Sequence, residues 1–138
     1  MEEKEALVID TSFISSFFKI KQLNLIFRAF NVKKIIIAKA VLRELEESIF
    51  YEEFFELLEK GNIIIKEVKG IKSSGDFGDG ELESISLAKS MDSVLLMNDK
   101  IAEKLAKDRK VVVVNIHEFL LDCKKRNILS LEEIKQII

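Results

Sequence analysis

The stretch Ala6-Leu7-Val8-Ile9-Asp10-Thr11-Ser12 decides the fold. Four apolar residues run together without alternation, the pattern of a strand covered on both faces, as in parallel sheets. An acid and two hydroxyl residues follow at the point where such a strand ends. Similar runs recur along the chain: Ile35-Ile36-Ile37, Ile63-Ile64-Ile65 with Val68, Ser93 to Met97 ending at Asn98-Asp99, and Val111 to Val114. We read these as four further strands. Helical patterns lie between them. Phe13, Phe17, Ile20, Leu23 and Phe27 recur at spacings of three and four, with a break near Lys21. Val41, Leu42 and Leu45 begin a helix running towards Glu47, and another spans Tyr51 to Glu59 with Gly61 at a C′-like position. Gly70 to Gly80 holds four of the five glycines and reads as a loop. Further helices run from Asp79 to about Lys89, through Ile101, Leu105 and Ala106, from His117 to about Arg126, and from Ser130 to Ile138. Ser130-Leu131-Glu132-Glu133 has the form of a capping box.

Strands alternating with helices argue for an α/β domain around a mainly parallel central sheet. Right-handed crossovers place helices on both faces. No linker, low-complexity tract or repeat interrupts the pattern, so residues 1–138 read as a single domain. With 48% hydrophobic and 33% charged residues, the chain is expected to bury a real core and to be ordered and soluble. No apolar run approaches the roughly 20 residues of a membrane span, and the acidic start lacks the form of a secretory signal. A cytoplasmic location and no membrane partner are the resulting expectations. Cys123 is the only cysteine, which excludes an intrachain disulfide and a thiolate metal cluster.

In open α/β sheets, ligands sit outside the carboxyl ends of the strands. Two acids fall there: Asp10 directly after the first strand, and Asp99 after the fourth. Each also suits a helix N-cap. Glu44 borders the apolar face of the helix after the second strand; a solvated helical acid is its ordinary alternative. Glu81 opens the helix after the glycine-rich loop, where a negative charge also complements the helix dipole. The combination says more than any member. Carboxylates held close together need a counter-charge, which a hard divalent cation supplies. Such a cation assists attack of water on a phosphodiester.

In order and spacing these pieces resemble the PIN-domain family of nucleases, among them the VapC-like toxins and stand-alone archaeal relatives. Leu7-Val8-Ile9-Asp10-Thr11-Ser12 is similar to the family's opening strand and first acid. Val41-Leu42-Arg43-Glu44-Leu45 is similar to its second acidic motif. Gly80-Glu81-Leu82-Glu83-Ser84-Ile85-Ser86-Leu87-Ala88 is similar to the "GE-x-E-A-I-x-L-A" helix of one subgroup, and Leu95-Leu96-Met97-Asn98-Asp99-Lys100 to its strand-end "T-N-D" or "D-D" motif. The resemblance implies a three-layer α/β/α sandwich and Mg²⁺- or Mn²⁺-dependent endoribonuclease activity on RNA. It makes Asp10, Glu44, Glu81 and Asp99 the metal-binding and catalytic acids, with Thr11, Ser12 and Asn98 positioning substrate. It also implies a homodimer and, in toxin members, inhibition by an antitoxin protein. Two departures stand out: Met97 replaces the family's Thr, and Glu83 competes with Glu81 for the third acidic place.

A net charge of −2 is a poor footprint for bulk attraction to nucleic acid, so contact would rest on local patches or metal ions. Such patches are Lys33-Lys34, Lys104 with Lys107, Arg109-Lys110 and Lys124-Lys125-Arg126. This balance and Met97 motivate the rival expectation, a PIN-like module that binds RNA or a partner protein without cutting. His117 is the only histidine, which disfavours a ribonuclease built on paired imidazoles. Ser12 stands where a haloacid-dehalogenase-type phosphatase wants a second Asp, and no P-loop or G-x-G-x-x-G occurs. Phe13, Phe17, Phe18, Phe27, Phe30, Phe54 and Phe55 suit core or dimer contact better than base stacking. The apolar weight of the first two helices favours self-association.

Overall fold

The β-branched runs form the strands they announce. In the computed structural model, which describes residues 6–68 and 78–137, β1 (Ala6–Ile9), β2 (Lys34–Ala38), β3 (Ile63–Lys66), β4 (Leu95–Leu96) and β5 (Val113–Val114) make one sheet. Its order is β3-β2-β1-β4-β5, and every neighbouring pair is parallel. Leu7, Val8 and Ile9 on β1 and Ile35, Ile36 and Ile37 on β2 are all buried, as uninterrupted apolar runs require. β4 and β5 are shorter than the apolar runs around them. Ladder bonds nonetheless continue past their ends, with Met97 N–H donating to the Val114 carbonyl at 3.2 Å and Leu95 N–H to that of Val112 at 2.9 Å.

Eight helices lie among the described residues: α1 (Thr11–Lys19), α2 (Leu23–Phe30), α3 (Lys39–Glu46), α4 (Tyr51–Glu59), α5 (Asp79–Met91), α6 (Lys100–Asp108), α7 (Ile116–Lys125) and α8 (Leu131–Ile137). The result is a three-layer α/β/α sandwich. The break between α1 and α2 falls at Lys21, whose backbone is left-handed with φ 57°. Gly61, φ 80°, turns the chain out of α4 into β3. Ser130 and Glu133 form the expected reciprocal cap of α8, through bonds of 3.1 and 3.2 Å. Most of the glycine-rich segment lies outside the described residues. Where description resumes, extended Gly78 N-caps α5.

Most of the phenylalanines among the described residues are core; Phe55 is exposed. Phe13, Phe17 and Phe119 are buried and stack or meet edge-on with centroids 5.2 to 5.7 Å apart, joining α1 to α7. Phe18 and Phe54 are buried as well, while Phe27 and Phe30 pack against the same core. The apolar weight of α1 and α2 is thus taken up inside the chain.

Chain order fixes where a site forms. From β1 the chain builds outward to β2 and β3, then crosses back to add β4 and β5 on the other side. The strand order reverses between β1 and β4, and at such a switch point the two following loops diverge and leave a crevice.

Candidate active site

Asp10 leaves β1 at that crevice. It occupies the N-cap position of α1, yet its carboxylate makes no capping hydrogen bond and is buried, 2% exposed. Two hydroxyls hold it instead. Ser12 Oγ donates to Oδ2 at 3.0 Å, and Ser84 Oγ, itself wholly buried on α5, donates to Oδ1 at 3.3 Å. Burial pushes the Asp10 pKa up against the opposing pull of Ser12 and the neighbouring donors.

Ser12 does a second task. Its Oγ accepts from the Asn98 backbone N–H at 3.0 Å, which ties the end of β4 to the Asp10 carboxylate through one hydroxyl. The Asn98 side chain turns elsewhere. Its Oδ1 accepts from Ile116 N–H at 3.1 Å and so anchors the start of α7. Asn98 therefore meets the site through its backbone.

Asp10, Thr11, Ser12, Arg43, Glu44 and Glu81 line one cavity of about 690 Å³, together with the start of α5 at Gly78 and Asp79. The acids arrive from three elements: β1, α3 and α5. Glu44 remains open to solvent as a residue. Partial desolvation of its carboxyl raises its pKa, and the charge of Asp10 raises it further. Glu81 is raised first by desolvation, then by the charges of Asp99, Asp10 and Glu44 in that order. Mutual repulsion of this kind marks carboxylates that share one electrostatic neighbourhood.

Asp99 stands beside Glu81, outside the cavity wall. Its Oδ1 accepts from the N–H groups of Ile101 and Ala102, both at 3.0 Å, so it caps α6, while its charge acts on Glu81. Glu83 points away. Its Oε1 accepts from Ala40 N–H at 3.2 Å, and its Oε2 lies 3.5 Å from Arg43 Nη2. It clamps the first turn of α3 to α5, leaving Glu81 rather than Glu83 to line the cavity, beside Asp79 at the start of the same helix.

Three contributors escaped the sequence reading: Ser84, Arg43 and Gly80. Ser84 lies three residues after Glu81, one helical turn along, and that spacing was the available signal. Arg43 brings the cavity its cation, and adjacency to Glu44 was its signal. Gly80 is buried, and a β-carbon there would collide with the Glu44 carboxylate. No single-sequence pattern announces that contact. His117 is exposed and borders an apolar groove between α7 and α8 that none of the candidate acids lines. Cys123 is buried in the core, which pushes its thiol pKa up.

The donor set suits a hard cation. All the candidate ligands are oxygen atoms, the acids raise one another's pKa, and the buried Thr11 hydroxyl beside Glu44 forms no well-shaped hydrogen bond. Among the described residues, no three Asp, Glu, His or Cys side chains already stand close enough to ligate one ion jointly.

No curated protein matches the chain in sequence. Solved structures do match it in shape. One is a PilT N-terminus domain protein from the archaeon Sulfolobus solfataricus P2, with TM-score 0.61 and 19% identity over 84% of this chain and 91% of that one. A domain of a functionally unknown protein from Methanocaldococcus jannaschii DSM 2661 aligns with TM-score 0.55 and 22% identity, over 82% and 91% of the respective chains. The PIN domain endonuclease Utp24 aligns with TM-score 0.58 and 15% identity, over 80% and 84%. At these identities the likeness establishes the fold. The DUF3368 PIN-domain family model, however, matches residues 6–138 in sequence. A match across nearly the whole chain, on a parallel sheet with acids gathered at its switch point, places this protein in the PIN-domain family, whose members are generally nucleases.

Proposed function

We propose that this chain is a divalent-metal-dependent endoribonuclease, hydrolysing RNA phosphodiesters at the cavity lined by Asp10, Glu44 and Glu81. One observation carries the reading. Three acids from three separate elements converge on one cavity, and each has its pKa raised. An assembly that repels itself is costly for the fold, and a cationic ligand offsets that cost.

Mg²⁺ or Mn²⁺ would be held in the cavity by one or two of Asp10, Glu44 and Glu81 directly and by the rest through water, with Asp99 adding negative charge from beside Glu81. When bound, the ion supplies Lewis-acid polarisation of the phosphate. The protein's own groups do the rest. Ser12 and Ser84 lock the Asp10 carboxylate in one orientation. The Arg43 guanidinium offers a phosphate oxygen a charged donor at the cavity wall. Glu44, solvent-facing and with a raised pKa, is placed to take the proton of a water whose oxygen forms the new bond to phosphorus. The P–O bond to the leaving ribose oxygen then breaks, and that oxygen takes up a proton from solvent.

The rival reading, a PIN module that binds without cutting, loses one motive. Met97 is fully buried in the core, so the absent threonine leaves a core position changed and the cavity wall untouched. RNA as the substrate, a homodimer and an antitoxin partner draw their support from the family resemblance. No helix among the described residues is long and apolar enough to cross a membrane.

A fluorescent RNA assay with Mg²⁺ or Mn²⁺ decides the matter, run beside Asp10→Asn and Asp99→Asn. The expected outcome is metal-dependent cleavage that falls on the order of a hundredfold or more with Asp10→Asn. Equal residual activity in all three proteins would identify a contaminant. RNA binding without turnover would favour the module.

A further inference from the structure

Gly80 is the second residue of α5 and is buried against α3. Its backbone is not left-handed, because Gly61 supplies the chain's one positive-φ glycine among the described residues. Conformation therefore does not demand a glycine there. Helix propensity does not call for one either, since Gly is less favourable than Ala in a helix, by up to roughly 1 kcal/mol in the interior and by less in the first turn. Space is the remaining reason. A β-carbon at Gly80 would collide with Glu44 Oε1, stand 3.2 Å from the Glu44 carboxyl carbon, and lie 3.6 Å from Val41 Cγ2. The Val41 contact is ordinary van der Waals packing. The Glu44 contact is not, and it involves the far end of a flexible side chain, which would move before the backbone did.

We propose that Gly80 is a positioning residue for Glu44: the missing side chain is the seat on which the Glu44 carboxylate rests. The seat explains how two acids from different helices share one cavity. Glu44 reaches across from α3 and lies against the bare first turn of α5, one residue from Glu81. Any larger residue at position 80 displaces the Glu44 carboxylate while leaving the helix intact. This inference rests on the metal-dependent reading for its consequence, but the seating itself is independent of it.

The test uses the full-length wild type, Gly80→Ala, Glu44→Ala and the double variant. Mn²⁺ affinity is read from the electron paramagnetic resonance signal of free Mn²⁺, and stability from thermal unfolding. We expect Gly80→Ala to hold or raise Tm, because alanine favours the helix. We expect it to weaken Mn²⁺ binding about tenfold, the scale of a displaced metal-orienting group. In the Glu44→Ala background the same substitution should change Mn²⁺ binding no further, because the side chain it displaces is gone. Full additivity of the two effects, or wild-type Mn²⁺ binding by Gly80→Ala, overturns the proposal. Crystal structures of wild type and Gly80→Ala read the seat directly: an unmoved Glu44 carboxylate overturns it too. Absence of Mn²⁺ binding by the wild type would defeat the metal-dependent reading and with it the functional consequence. The crystal structures would still decide the seating.

Discussion

Asp10 shows how much one buried carboxylate asks of its neighbours. Its two oxygens take hydroxyl donors from opposite sides, Ser12 in sequence and Ser84 across the fold. Ser84→Ala should therefore raise the Asp10 pKa, since it removes a donor that favours the ionised form while burial continues to oppose it. The expected outcome is an acidic limb of the pH–rate profile displaced to higher pH, and activity about tenfold lower at neutral pH. Unfolding in urea should show a loss of about 1 kcal/mol for the buried hydrogen bond. A normal pH profile with only the stability loss would reduce Ser84 to a packing residue. Asp10 and Ser12 were legible in the sequence because they follow a strand end directly. Ser84 was not, because its partner lies 74 positions away.

At the scale of elements, the site is a junction between α3 and α5, and Glu83 and Glu81 divide its duties. Glu83 spans the junction by capping Ala40 N–H and pairing with Arg43. Glu81, two residues earlier, faces the cavity. Glu83→Ala is expected to cost about 1–2 kcal/mol of stability, mainly through the lost cap on a helix terminus, and to change cleavage only a few-fold. Its ion pair with Arg43, whose guanidinium is largely solvent-exposed, adds less. Glu81→Ala is expected to do the reverse, keeping stability and losing activity on the order of a hundredfold. Urea melts and RNA cleavage rates on the two variants separate the roles, and an exchange of the two patterns would make Glu83 the third acid. The sequence left this pair open because both glutamates fall in the same helical run. Which of them points into the crevice depends on how α5 is rotated against α3.

For the whole molecule, the clustered acids link stability to pH and to metal. Asp10, Glu44 and Glu81 have folded-state pKa values raised above their ordinary 3.8 or 4.5. Between the ordinary and the raised values, the folded protein binds more protons than the unfolded chain. Stability from these groups therefore falls as pH rises through that window, and the full repulsion is present at neutral pH. Wild-type Tm should gain more on acidification from pH 7 towards pH 5 than the Tm of a triple variant, Asp10→Asn with Glu44→Gln and Glu81→Gln. Mn²⁺ should raise wild-type Tm more at neutral pH than at pH 5, because protons and cation compete for the same oxygens. Scanning calorimetry across that range checks both. Identical slopes for the two proteins would mean that the acids do not interact in solution.

The alternation of apolar runs with helical spacing determined the α/β class, the helix breaks at Lys21 and Gly61, and the strand-end positions of Asp10 and Asp99. These features are local: a strand, a cap or a turn is decided by residues a few positions apart. Strand order, the crevice between β1 and β4, which of Glu81 and Glu83 lines the cavity, and the closeness of Gly80 to the Glu44 carboxylate were decided only by tertiary structure. Each depends on which surfaces of distant elements pack together, and the periodicity of a single segment carries no information about its partner's rotation or distance.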